Sequence, residues 1–223
     1  MAKMVLGEQL IPADKKLATA EPEKPRPINA PLQLIYYGAP GTGKSFAIDE
    51  MTDGRNAVRT TFHPDSDYAS FVGAYKPTME DVPMSAFVGK EVHLAQPQGA
   101  HPGIERKIVY KYVPQAFLKA YVEAWKDLDN PHFLIIEEIN RGNCAQIFGD
   151  LFQLLDRNNS GSSAYPIHAD EDIARFLKSD AKGFANLSDA QRQAIASFTL
   201  QKDNGREIPL GREILDGSLL LLP

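Results

Sequence analysis

Cysteine is almost missing from this sequence: Cys144 is the single one in 223 residues. No internal disulfide can close and no cysteine metal cluster can form, which fits a reducing compartment. Long apolar runs are missing too. Leu219 to Leu222, the longest near the end, has the length of a buried strand and falls far short of a membrane span. Nothing near the start has the length of a signal-peptide core, so a cytoplasmic protein with no membrane partner is expected. Positive charge is not in excess either: 24 Lys and Arg stand against 29 Asp and Glu, a net charge of −5. A chain without a basic field is not a stand-alone nucleic-acid binder. What remains is ordinary for a globular protein, 43% hydrophobic and 24% charged, and the length suits one α/β domain with a buried core.

Proline alternates with charge from Glu21 to Pro27, which disfavours helix and sheet. Residues 1–30 are therefore expected to form a flexible tail and residues 31–223 the folded domain. Leu32 to Tyr37 (LQLIYY) reads as a buried parallel strand ending at a glycine-rich turn. A helix is expected from Gly43 to about Met51, and a second strand over Val58 to Phe62. Prolines and glycines over about 78–113 suggest an irregular insertion. Gln115 to Leu128 places Phe117, Tyr121 and Trp125 on one helical face. His132 to Ile136 reads as a third buried strand. Asn143 to Arg157 reads as a helix with Ile147, Leu151, Leu154 and Leu155 inward. Ala164 to Ile167 suggests an edge strand. Asp170 to Lys178 and Ser188 to Phe198 read as helices, the latter capped by Ser188.

The glycine-rich turn is the most informative segment. Gly38-Ala39-Pro40-Gly41-Thr42-Gly43-Lys44-Ser45 satisfies G-x-x-x-x-G-K-[ST] in full. Backbone N–H groups that converge on phosphate oxygens require glycine where side chains would intrude. The following helix adds its positive N-terminal end. Lys44 then neutralises the β and γ phosphates, Ser45 offers a hydroxyl to Mg²⁺, and Phe46 closes the contact segment. Average residue usage makes the bare pattern a chance event in roughly one protein of this length in a hundred.

A second element follows 90 residues on, as an apolar run Phe133 to Ile136 ending in Glu137 and Glu138. In doubly wound folds ligands sit outside the carboxyl ends of the strands, so this pair is expected beside the loop. Glu137 would join the Mg²⁺ shell and Glu138 would orient or polarise the attacking water. Glu137 stands where such enzymes usually carry Asp.

Three stretches, GAPGTGKS, Thr61 to Pro77 and Leu134 to Arg157, resemble the McrB-type AAA+ NTPases, motor subunits of modification-dependent restriction systems. Glu138-Ile139-Asn140-Arg141-Gly142-Asn143 is the most specific part. The resemblance implies an AAA+ P-loop fold, a parallel sheet sandwiched by helices. It further implies a ring, a hexamer in that family, hydrolysing ATP or GTP, often with a McrC-type nuclease subunit, and touching DNA indirectly. ATP is favoured over GTP on the habit of AAA+ proteins. In such a ring Arg141 would face a neighbouring subunit or the nucleotide; equally, Asn140 or Asn143 would cap a turn there. His63 reads as a cap or packing residue ahead of a γ-phosphate sensor, and Cys144 as a small core residue. The family's sensor asparagine, arginine fingers and helical lid would follow Leu219 to Pro223, so the C-terminal part reads as incomplete and weak turnover is expected of this chain alone. Two alternatives remain: a nucleotide-gated assembly module without useful catalysis, and a non-ring P-loop NTPase.

Overall fold

The computed structural model describes residues 31–83, 85–88, 91–94, 104–202 and 204–223. The expected tail and the middle of the expected insertion lie outside these residues. The order begins with helix α1 (Lys44–Thr52), strand β1 (Asn56–Thr61) and a single turn of helix, α2 (Tyr68–Phe71). Four strands follow, β2 (Gly73–Pro83), β3 (Ser85–Val88), β4 (Glu91–Leu94) and β5 (Ile104–Pro114), then helix α3 (Ala116–Lys126) and strand β6 (His132–Glu137). The remainder comprises α4 (Cys144–Phe148), β7 (Ile167–His168), α5 (Glu171–Ser179), α6 (Asp189–Ala196), β8 (Thr199–Gln201), β9 (Glu207–Pro209), α7 (Gly211–Leu215) and β10 (Leu219–Leu220). The fold is mixed α/β with small sheets.

Among the described residues one pairing is parallel. β1 lies beside β6 in register from Asn56↔His132 to Thr61↔Glu137, and Phe62 N–H extends the ladder to the Glu137 carbonyl at 2.9 Å. Side chains alternate across such a pair. Leu134 and Ile136 pack on the main core, whereas Ile135, itself buried, lies outside that cluster. The face of Ile135 therefore also carries Arg59 and Glu137. The core face is covered by α3, where Phe117, Leu118, Tyr121, Val122 and Trp125 are all buried, as the four-residue spacing requires. Trp125 Nε1 donates to the Leu221 carbonyl at 2.9 Å, which ties the buried end of the chain to α3. At the other end of the core Phe62, Phe71 and Phe148 meet with ring centroids 5.0 to 5.9 Å apart, the spacing of favourable edge and tilted pairs.

Several expectations are corrected. Leu32–Tyr37 is not a buried strand: it bends at Leu32 and Gln33, pairs with no strand among the described residues, and Ile35 and Tyr37 are 71% and 92% exposed. A strand buried on both faces needs neighbours at its edges, and the two-stranded β1–β6 pair does not take it up. The insertion is regular where described. β2 and β5 form an antiparallel ribbon of eleven residues each, from Gly73↔Pro114 to Pro83↔Ile104. Its prolines are tolerated because, among the described residues, each strand pairs on one edge only. The single helix expected over Asn143–Arg157 is broken at Gly149, whose φ of 51° is left-handed, and continues as a 3-10 helix over Gly149–Leu155. Its inward residues Ile147, Leu151 and Leu154 are nonetheless buried. β6 is mostly half-buried rather than fully buried. The pair β8–β9 and the short helices α2 and α7 were not anticipated.

Candidate functional site

The glycine-rich loop enters α1 with a backbone that only glycine adopts easily. Gly41 and Gly43 sit at φ 80° and 79°, the left-handed region that costs other residues about 1–2 kcal/mol. A Cβ at either would meet nothing within 4 Å, so these two are needed for the hand of the turn and not for room. Gly43 is the N-cap of α1 and has no side chain to cap it, which leaves the first-turn N–H groups without a side-chain acceptor. Lys44 folds back over the loop: its Nζ donates to the carbonyls of Gly38 at 2.9 Å and Ala39 at 2.8 Å. Thr42 Oγ1 also donates to the Ala39 carbonyl, at 2.9 Å. Ala39, Pro40, Thr42 and Ser45 are exposed, and Phe46 is 72% exposed.

The acids stand at the carboxyl end of β6. Glu137 Oε1 accepts from Arg59 Nη1 at 2.5 Å, while Arg59 Nη2 donates to Asp49 of α1. Two carboxylates from different elements thus lie within the span of one guanidinium. The Glu137 hydrogen bond is the main reason the guanidinium pKa is held above its ordinary value. Ser45 precedes Asp49 by four residues, which places both on one face of α1. The helix face carrying the loop's serine is therefore the face turned toward Glu137. Sequence reasoning passed over Arg59. The available signal was a charge inside the expected strand Val58 to Phe62, since a charge drawn toward a sheet needs a partner.

Glu138 has φ 53° and ψ 38° and is the one non-glycine residue with positive φ among the described residues. Its side chain is exposed. The chain turns at once into a 3-10 turn, Ile139–Arg141, closed by Arg141 N–H on the Glu138 carbonyl at 2.9 Å. Gly142 seats this turn on β1: a Cβ there would lie 2.5 Å from Ile147 Cδ1 and 3.3 Å from Phe62 Cβ. Arg141 and Asn140 point outward as exposed residues. Asn143 caps α4, accepting from Gln146 N–H, so its capping role is observed. His63 makes a local turn: its N–H donates to Ser66 Oγ, and its carbonyl accepts from Ser66 N–H. Cys144 is half-buried against the core, its thiol 3.4 Å from the Ile139 carbonyl.

Among the described residues no group of three or more His, Cys, Asp or Glu could hold a metal by itself, and no helix is long and apolar enough to cross a membrane. An open depression of about 380 Å³, lined by Lys202, Asn204, Arg206 and Ile208, belongs to the β8–β9 hairpin and shares no residue with the loop or the acids.

No family model matches the chain. Among curated proteins it is similar to the type II restriction enzyme BsuMI component YdiS of Bacillus subtilis (strain 168), with 40% identity over 153 residues. The match covers 66% of this chain and 44% of that protein, so the chain spans less than half the length of this relative.

Proposed function

We propose that this chain binds a nucleoside triphosphate with Mg²⁺ through residues 38–46 and hydrolyses it in the service of a restriction system. The observation that carries the reading is the tie from α1 through Arg59 to Glu137, because it turns the helix of a phosphate-type loop toward an acidic strand end. Left-handed glycines, uncapped N–H groups and a lysine over the loop mouth are the parts an anion-binding turn needs. The donor set also fits the metal. Mg²⁺ takes hard oxygen ligands and is usually held by one or two protein groups plus substrate phosphates, which a hydroxyl at Ser45 and a carboxylate at Glu137 provide. When bound, the ion would neutralise charge on the phosphates.

Lys44 exchanges its present carbonyl partners for phosphate oxygens. Glu138, exposed at the strand end, orients the attacking water and takes its proton. The water oxygen bonds to the γ-phosphorus as the bond to the β–γ bridging oxygen breaks, giving the nucleoside diphosphate and phosphate. The relative's name, a restriction enzyme component, supports the setting. The resemblance of residues 134–157 to McrB-type AAA+ proteins supports the finer reading, a subunit of an AAA+ ring that works with a separate nuclease. ATP is the favoured base and GTP the alternative.

The test is equilibrium titration of fluorescent ATP and GTP analogues onto the wild-type chain and Lys44→Ala. Wild type binds at least one analogue, and loss of the charge-assisted phosphate contacts weakens it by roughly 10- to 100-fold. Equal affinity in Lys44→Ala, or no binding by wild type, overturns the proposal.

A further inference from the structure

Helix α1 has little to hold it. Of its nine residues only Thr52 is buried, and Phe46, which could have anchored it, is 72% exposed. The segment before the loop gives no support from a sheet, since Leu32–Tyr37 pairs with no strand. It is held by a hydrogen bond from Gln33 Nε2 to the Leu155 carbonyl, at the far end of the segment from the loop. Arg59 is a polar link from α1 to the β1–β6 pair, reaching Asp49 on one side and Glu137 on the other.

Register explains why Arg59 is suited to this. It sits opposite Ile135, so Glu137 is its diagonal neighbour two residues on, on the same face. Its planar fork can satisfy two carboxylates at once, which the point charge of lysine does not do in a fixed geometry. The guanidinium is hydrogen-bonded to Oε1 of Glu137, and a carboxylate has a second oxygen with which to bind a ligand. The extra methylene of Glu over the usual Asp lengthens the reach from β6 toward this fork.

We propose that Arg59 is the positioning residue of the site: by bridging Asp49 and Glu137 it holds the phosphate-loop helix at a fixed distance from the acid that completes the Mg²⁺ shell. This deepens the triphosphate reading above and rests on it. Fixing a ligand carboxylate from behind is worth roughly tenfold or more in metal affinity. Charge alone predicts the opposite sign. Neutralising Arg59 takes the Asp49–Arg59–Glu137 group from a net −1 to −2, which would draw Mg²⁺ in more strongly. The direction of the effect therefore separates positioning from simple charge balance.

The experiment measures binding of whichever fluorescent triphosphate analogue the wild-type chain takes, first in EDTA and then along a Mg²⁺ titration, for wild type, Arg59→Lys, Arg59→Met and Asp49→Asn. Circular dichroism and thermal midpoints confirm folding, and Arg59→Lys carries the test should Arg59→Met unfold. Affinity in EDTA stays within twofold of wild type for Arg59→Lys and Asp49→Asn, while half-saturating Mg²⁺ rises roughly tenfold in Arg59→Lys, where the charge is kept, and in Arg59→Met, where charge alone would lower it; it rises also in Asp49→Asn. Unchanged or lower half-saturating Mg²⁺ in Arg59→Lys overturns the inference and leaves the triphosphate reading standing. A wild-type chain that binds neither analogue overturns both.

Discussion

Replacing Glu138 by glycine is expected to make the protein more stable while removing the carboxylate that we propose polarises the attacking water. Glu138 is held at φ 53° and ψ 38°, where an L-residue pays about 1–2 kcal/mol for its Cβ. Glycine escapes that cost but gives up about 0.5–1 kcal/mol of extra chain entropy on folding. The difference is a net gain of about 0–1.5 kcal/mol, about 0.75 at the middle of both ranges. For a domain of this size that middle value raises the thermal midpoint by about 1.5–3 °C. The side chain is exposed, so Glu138→Ala, which keeps the Cβ, should stay within about 0.5 kcal/mol of wild type. Calorimetry on the three proteins reads the backbone effect, and a phosphate-release assay on the same samples reads turnover, lost in both variants. If Glu138→Gly and Glu138→Ala are destabilised alike, the carboxylate itself supports the turn and the strain argument is wrong. The expected outcome is a residue whose conformation costs the fold energy and whose side chain repays none of it through packing. That is the pattern of a strained functional position.

Two further predictions address the scaffold. Gly211→Ala would place a Cβ 2.2 Å from the Ile195 carbonyl oxygen and 2.4 Å from that of Ala196, both backbone atoms of α6, so the α6–α7 contact must open. Overpacking of this kind costs about 3 kcal/mol and lowers the thermal midpoint by about 6–12 °C; a fall under about 2 °C in calorimetry refutes the packing. Stability should also drop at alkaline pH. Burial, with smaller contributions from Asp170 and Asp150, raises Tyr68 from 10.0 to about 12, and burial raises Tyr112 and Tyr121 as well. Groups with raised folded pKa values contribute stability fully below the unfolded value and lose it as pH climbs through the folded one, because the unfolded chain releases its protons first. Denaturation midpoints should therefore be flat up to about pH 9 and fall above pH 10, more gently in Tyr68→Phe; an equal fall in that variant removes Tyr68 from the account.

Elements whose signals are local were legible in the sequence. Ser188 caps α6 as expected, α5 starts beside Asp170, which proves to be its cap, and the apolar stripe of α3 is buried residue by residue. The break in the helix after Phe148 was not, because the apolar spacing runs on across Gly149 while the glycine's left-handed backbone ends α4. The ribbon was hidden by its prolines, although the alternation was there to be read. Tyr75, Pro77 and Met79 stand opposite Tyr112, Tyr110 and Ile108 on one face, with Lys76 and Glu80 on the other. The partners of β6 and the role of Arg59 depend on register between strands more than seventy residues apart, which no local pattern specifies.

The same distinction bears on the candidate site. The order of residues in the loop from Gly38 to Ser45 could be read from the sequence because its chemistry is written in consecutive residues. Its place in the molecule could not. A buried strand at Leu32–Tyr37 would have fixed the loop from the N-terminal side, yet that segment is exposed and unpaired. Gln33 ties the start of that segment to the Leu155 carbonyl, and nearer the loop the support comes from a nine-residue helix with one buried residue and an arginine between two carboxylates. Light anchoring of this kind leaves the loop more backbone freedom to lose when it grips a polyphosphate, as proposed above, and ordering each residue costs about 1–2 kcal/mol. On the proposed reading, triphosphate affinity depends on this ordering as well as on the contacts the loop makes, while Arg59 on β1, outside the loop motif, sets the Mg²⁺ dependence.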